Sequence, residues 1–317
     1  MSKWVICCLV QVIVVIKVVA QPFASGVGEI GTSAIAKDSS VFIMWASNAK
    51  VERGLMDISD KNLGLVTFGS IADAIGRADG RVISLGDKGS IILQFDFPIS
   101  DGNGPDFAVF ENSFNNTFLE LAFVEVSSDG IRFVRFPATS LTQNSVQFGN
   151  NASMDPTQLN NLAGKYRGLY GTPFDLNELK DSLGIDLERI THIKLIDVVG
   201  SIDPKLGVRD SHNNIINDPY PTPYPSGGFD LDAVGVIHSN ILGLKNLEEE
   251  VKVYPNPTSD FVYIQINKSS QVNLFTMTGQ LIDNKAIDFI GCVDLSEYPK
   301  GTYYLRIENN LVKIVRI

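Results

Sequence analysis

Short apolar or alternating runs, separated by turn residues, recur along most of the chain. The runs 90–95, 107–110, 121–127, 131–136, 192–199 and 233–238 each have strand length and strand composition. Asp87-Lys88-Gly89, Asp101-Gly102-Asn103-Gly104-Pro105 and Ser128-Asp129-Gly130 mark turns between them. The last of these lies between two alternating runs and predicts a two-residue hairpin turn. Helical periodicity is scarce. Small helical pieces are expected near 71–77 and 175–183, the second capped by Asp175 and stopped by Gly184. Short strands at this spacing predict an all-β chain, a sandwich or jelly roll.

The two ends of the pattern differ from its middle. Lys3 precedes the run 5–16, apolar except for Gln11, and Val18-Val19-Ala20 follows with small residues. Residues 1–20 therefore read as a secretory signal peptide, too short in its apolar run to span a bilayer. No membrane helix is then expected in the mature chain. At the other end, the strand pattern stops before 244–250, LKNLEEE, which reads as a solvated linker. A new pattern begins at Val251, with strand-like runs 262–266, 272–277, 291–295, 303–308 and 312–317. The expected organisation is a signal peptide over 1–20, a β-sandwich over 21–243, a linker over 244–250 and a small β-domain over 251–317.

Charge and cysteine content narrow the partners. The net charge is −10, and loss of Lys3 and Lys17 with the signal takes it to −12. Such a chain is poorly suited to a nucleic-acid backbone, which is gripped by Lys and Arg. Cys7 and Cys8 leave with the signal, so Cys292 stands alone and no internal disulfide is expected.

Four blocks of the C-terminal segment, VYPNPTSDFVYI, VNLFTMTGQLI, VDLSEYPKGTYYLRI and KIVRI, resemble the C-terminal sorting domain of type IX secretion cargo, in order and in spacing. The resemblance implies a small immunoglobulin-like β-sandwich of about seven strands. It also implies export through the periplasm to the outer-membrane surface or the medium of a Gram-negative bacterium, with the type IX machinery as partner for residues 251–317. Pro255 and Pro257 agree with an extended entry segment, and Gly279 with a hairpin turn.

Within 21–243, VEVSSDGIRFVRFP, ITHIKLIDVVGS and GSIILQFDFPI resemble strands of discoidin or galactose-binding-like sandwiches. DGNGPDFAVFEN with SGGFDLDAVGVI resembles secreted bacterial cell-surface proteins. Residues 21–81 and 142–165 are left unplaced. The resemblance implies a jelly-roll binding domain for carbohydrate or another surface ligand, with calcium as a candidate cofactor.

The candidate chemistry is acidic. Asp101, Asp106, Glu111 and Asn112 surround a Gly-rich loop, and Asp230 and Asp232 are two residues apart, on one face of a strand. Asp218 and Asp197 are expected to complete the group if their strands are adjacent. Carboxylates brought together repel unless a cation neutralises them, and calcium takes oxygen ligands. A hydrogen-bonded turn accounts for the same residues without metal. The loop 218–228 alternates prolines with Tyr220, Thr222 and Tyr224. Tyr220 and Tyr224 are candidates for stacking on a sugar if exposed, or for packing on the sandwich if not. No catalytic residue is assigned. G-x-S-x-G, phosphate-loop and dinucleotide fingerprints are missing, and His192, His212 and His238 are scattered. A non-enzymatic binding protein is the expected function; a polysaccharide or glycoprotein hydrolase using the acids, and a purely structural surface protein, are the alternatives.

Overall fold

The computed structural model describes residues 22–239, 251–266, 269–307 and 310–317. The expected signal peptide and linker lie outside the described residues. The chain divides into two compact units between residues 240 and 241. The protein is all-β, with short 3₁₀ turns as its helical elements among the described residues.

The first unit is built on two antiparallel sheets. One runs in the order Ile35–Ala36, Tyr170–Phe174, Phe107–Glu111, Asp230–Val236, Met44–Trp45, with Ile83–Ser84 also paired to Asp230–Val236. The other runs Leu162–Ala163, Ala122–Ser127, Ile190–Asp197, Ser90–Ile99, Asn48–Glu52, with Val134–Arg135 on Ala122–Ser127. Alternate residues of the two sheets meet between them. Phe107, Val109, Leu231, Val234 and Val236 from one pack with Ile91, Leu93, Val124, Val126, Ile193 and Leu195 from the other. Phe107 stacks on Phe174 at 5.3 Å and meets Phe136 edge-on at 5.9 Å.

The outer faces are also covered. Ala108, Phe110 and Ala233 lie under Ile35, Phe42 and Trp45. Leu121, Phe123, Ile196 and Val198 lie under Met154, Leu159, Leu162 and Ile216. The long segments around these residues act as lids over the sheets. That is why Phe107–Glu111 and Asp230–Val236 are buried at every position rather than at alternate ones.

Two local expectations change in detail. Ser128-Asp129-Gly130 does not form a two-residue turn, because Val126 pairs with Val134 and a longer loop joins the strands. Side chains organise that loop: Ser127 Oγ accepts from Gly130 N at 2.9 Å, and Asp129 Oδ1 accepts from Ile131 N and Arg132 N, each at 2.8 Å. Gly130 keeps its positive φ of 73°. The helical pieces shorten to 3₁₀ turns at Ile71–Asp73 and Leu176–Leu179, the latter capped by Asp175 accepting from Asn177 N at 2.9 Å.

The second unit has a three-stranded sheet of Lys252–Tyr254, Phe261–Gln265 and Ile290–Asp294. Its four-stranded sheet comprises Leu281–Ile287, Ser270–Thr276, Gly301–Ile307 and Asn310–Arg316. Val262, Ile264, Leu274, Val293, Leu305 and Ile314 fill the space between them. Phe261 and Tyr263 alternate with these residues and point outward. Cys292 is a free thiol.

Candidate functional site

The chain order of the acids does not survive folding as one group. Asp106 and Glu111 bracket the strand Phe107–Glu111 and so sit at its opposite ends. Three separate acidic settings result.

At one end, Asp101, Asp106 and Asp175 bring carboxylate oxygens within 4.8 Å of one another. Asp106 is already employed. Its Oδ1 accepts from Gly102 N at 2.7 Å and faces His238 Nδ1 at 2.8 Å, and its Oδ2 accepts from Leu176 N at 2.7 Å. Asp175 caps the following turn. These bonds tie the Gly-rich loop and the 3₁₀ turn to the sheet.

Asp232 forms a second setting. The register between Asp230–Val236 and Phe107–Glu111 shifts between Leu231 and Ala233, a bulge at Asp232. Its carboxylate accepts from Asp79 N at 3.0 Å and Gly80 N at 3.1 Å. This is the hydrogen-bonded-turn arrangement. Burial pushes the carboxyl up to about 6.

The third setting is a pocket of about 360 Å³ beside the start of Asp230–Val236 and the end of Phe107–Glu111. Glu120 and Asp230 supply its acids, Asn112, Asn150 and Asn151 its amides, and Phe114, Phe118 and Tyr224 its aromatic rings. Phe114 and Phe118 stack at 4.5 Å with 16° between planes, and Phe114 is 74% exposed. Tyr224 is 50% exposed, and its hydroxyl accepts from Asn150 Nδ2 at 3.0 Å. Aromatic rings and amides that line one pocket can hold the apolar face and the hydroxyls of one ligand together.

The acids here are buried and short of positive partners. Leu231 pairs with Glu111, which places Asp230 beside that end of the strand. Burial pushes Asp230 up to about 7, opposed by its bond from Ser84 Oγ and by Arg53. Glu120 stands well above the usual carboxylate range through burial, with Glu111 and Asp230 next in effect. Glu111 is raised in the same way by burial, then by Asp230 and Asp218, although its Oε2 accepts from Ser113 N at 2.7 Å. Asp218 is also raised by burial while accepting from Leu121 N at 3.1 Å. Asp197, raised by burial and by Asp87, has both oxygens occupied, by Phe229 N at 2.8 Å and Lys88 N at 3.1 Å.

Of the residues singled out in the sequence, Glu111, Asn112, Asp218 and Asp230 therefore share one neighbourhood; Asp101 and Asp106 share another; Asp232 stands apart. The two tyrosines also separate. Tyr224 lines the pocket, whereas Tyr220 is 8% exposed and donates to Asp57 Oδ1 at 3.0 Å. Tyr220 packs on the sandwich and is not a stacking surface. Glu120, Asn150, Asn151, Phe114 and Phe118 were not anticipated. An acid inside the apolar run FLELAF was the available signal for Glu120, and the i, i+4 phenylalanines in FNNTF for the stacked pair.

The site is pinned by backbone that admits no side chain. Gly164 has φ of 83°, and a Cβ there would stand 1.8 Å from Glu120 O. The strand Leu162–Ala163 thus approaches the Glu120 backbone as only glycine permits.

Residues 252–316 match the family of secretion system C-terminal sorting domains. No curated protein matches the chain. Among solved structures, the chain is similar to a Ruminococcus gnavus beta-glucuronidase in complex with uronic isofagomine. That pair is 9% identical, covers 92% of this chain and 46% of the other, and has a TM-score of 0.21. It is also similar to a biofilm associated protein BSP domain, at 11% identity, 88% and 53% coverage and a TM-score of 0.19. The chain spans about half the length of those structures, and likeness at these scores carries no functional argument. The sorting-domain match makes this protein an exported cargo bound for the cell surface or extracellular space, and it supports recognition by the type IX machinery. No helix among the described residues is long and apolar enough to cross a membrane.

Proposed function

We propose that the protein is a cell-surface or extracellular carbohydrate-binding protein, delivered by its C-terminal sorting domain, whose ligand site is the pocket between Phe114, Phe118, Tyr224 and Glu120. The observation that carries this reading is the pocket wall. A stacked pair of phenylalanines, of which Phe114 is exposed, and a half-exposed tyrosine line one pocket with three asparagines and two carboxyls. Sugars present an apolar ring face and a rim of hydroxyls, and this wall offers partners to both. Asn150 holds the Tyr224 ring by its hydroxyl, so little side-chain freedom remains to be lost on binding. The surrounding sandwich, of jelly-roll or galactose-binding-like kind in this reading, supplies a rigid frame at which the loops 112–120, 150–151 and 222–227 meet. A glycan array probed with the full chain tests the reading. Binding that Tyr224→Ala and Phe114→Ala each reduce at least tenfold supports it; an array without a signal, or signals indifferent to both changes, rejects it.

Hydrolysis is the second reading, because Glu120 and Asp230 line one pocket as a glycosidase pair would. Their electrostatics favour binding. A glycosidase separates its carboxyls into one acid and one ionised base or nucleophile. Burial here pushes both toward the neutral form. Incubating array hits with the protein and measuring reducing-end release decides between the two readings.

A further inference from the structure

We infer that the ligand of this pocket is a sugar bearing a free, protonated amine, with Glu120 and Asp230 as the acceptors of its charge. The inference rests on the pocket being the carbohydrate site, and it names the class of sugar.

Glu120 carries it. The residue is 9% exposed and lines the pocket, and its carboxyl has neither a hydrogen-bond donor nor an ion-pair partner among the described residues. Leu119 and Leu121 on either side are fully buried, so seating them turns the glutamate between them to the cavity. Asp230 is half committed: its Oδ1 accepts from Ser84 Oγ, and its Oδ2 accepts from no donor among the described residues. Arg53 acts on Asp230 without forming an ion pair, because its guanidinium donates to the carbonyls of Phe68, Ser84 and Gly69. No Lys, Arg or His among the described residues lines the pocket. Two acids thus face one cavity that holds no cation of the protein's own, in a chain of net charge −10. Burial keeps both toward the neutral form, and a cation seated beside them would favour the ionised one. A buried carboxyl that gains a charged donor recovers what its desolvation cost.

The lining selects an organic ammonium. A metal ion needs several ligand oxygens brought together, and the one trio within 4.8 Å among the described residues is Asp101, Asp106 and Asp175, outside this pocket. An ammonium needs only acceptors for its three N–H groups and, around them, surfaces that tolerate carbon. Aromatic ring faces do more than tolerate it, since their quadrupole attracts positive charge. Phe114 and Tyr224, 74% and 50% exposed, line the same space as the two acids. A neutral sugar would be served by the rings and by Asn112, Asn150 and Asn151 alone. The amine is the group that gives Glu120 and Asp230 a partner.

Three disaccharides test the inference on the full chain: that of fully deacetylated glucosamine, its N-acetylated form, and cellobiose. They differ only in the group at carbon two, and their small size limits adsorption to the acidic surface. Isothermal titration near neutral pH should show the amino form binding at least about tenfold more tightly than the other two. Glu120→Gln and Asp230→Asn should each erase most of that preference, Asp101→Asn should keep it, and Tyr224→Ala should weaken all three sugars. Melting curves of the variants establish that each is folded. Equal binding of the three disaccharides overturns the ammonium and leaves the carbohydrate reading standing. A preference that survives both Glu120→Gln and Asp230→Asn is adsorption to the acidic surface and overturns it as well. So does failure of the amino disaccharide to bind, whatever other sugar the glycan array finds. Binding of Nα-acetyl-lysine methylamide as tight as that of the amino disaccharide keeps the ammonium and overturns the sugar.

Discussion

Replacing Asp230 by asparagine should make the metal-free protein more stable at alkaline pH, although it removes a hydrogen-bonded buried acid. The Asp230 carboxyl is pushed from 3.8 up to about 7 by burial. A carboxyl whose folded-state pKa is raised keeps its proton longer in the native state than in the unfolded chain. Stability is then full below the unfolded value, falls between about pH 4 and pH 7, and stays low above. A shift of about three units corresponds to about 4 kcal/mol at 1.36 kcal/mol per unit, an upper figure because buried sites relax around a new charge. Asparagine keeps an oxygen for Ser84 Oγ, so the neutral contact persists. Denaturant unfolding of wild type and Asp230→Asn in chelator should give equal stabilities near pH 4. The variant should lead by about 2–4 kcal/mol at pH 8. If the variant is weaker at every pH, or if the difference does not change with pH, the carboxyl is not held neutral by burial and the account given of this acid fails.

Gly130→Val should destabilise the first unit by about 1–3 kcal/mol, since φ is 73° there and a Cβ would lie 2.7 Å from the His192 ring; an unchanged melting temperature refutes this. Phe107→Ala should cost about 3–5 kcal/mol through a cavity between Phe136 and Phe174, read by chemical denaturation. Gly164→Ala should abolish glycan binding and lower the melting temperature, because the added methyl meets the Glu120 carbonyl; retained binding would show that the Glu120 backbone has room to move. Deleting residues 251–317 should leave the protein in the periplasm of its host, and fractionation showing normal surface display would contradict the role given to the sorting-domain match.

The parts of this fold that sequence made legible are those fixed by local physics. Alternation in VNLFT and TYYLRI follows directly from one face of a sheet being buried, and both segments are strands whose inward residues, Val272, Leu274, Tyr303 and Leu305, form the small core. Asp175 was readable as a cap because its carboxylate bonds the N–H two residues on. What was not legible depends on contacts made far along the chain. FAVFE and DLDAVGV show no alternation, because lids carrying Phe42, Trp45 and Ala78 bury their second face. The acids failed to group as their spacing suggested for a simple geometric reason. Asp106 and Glu111 are five residues apart, which on a strand at about 3.3 Å per residue separates them by about 16 Å. Glu120 reaches the pocket from the segment that leads into the strand Ala122–Ser127 of the other sheet, and it is hidden in an apolar run. An acid in such a run is itself informative: FLELAF buries its glutamate in burying its leucines, and a glutamate so buried is pushed toward its neutral form. The same logic separates Tyr220 from Tyr224. Both belong to one proline-stiffened loop, but Tyr220 reaches an acid, Asp57, and is consumed by structure, while Tyr224 reaches only an amide at the pocket rim and keeps its ring face free for a ligand.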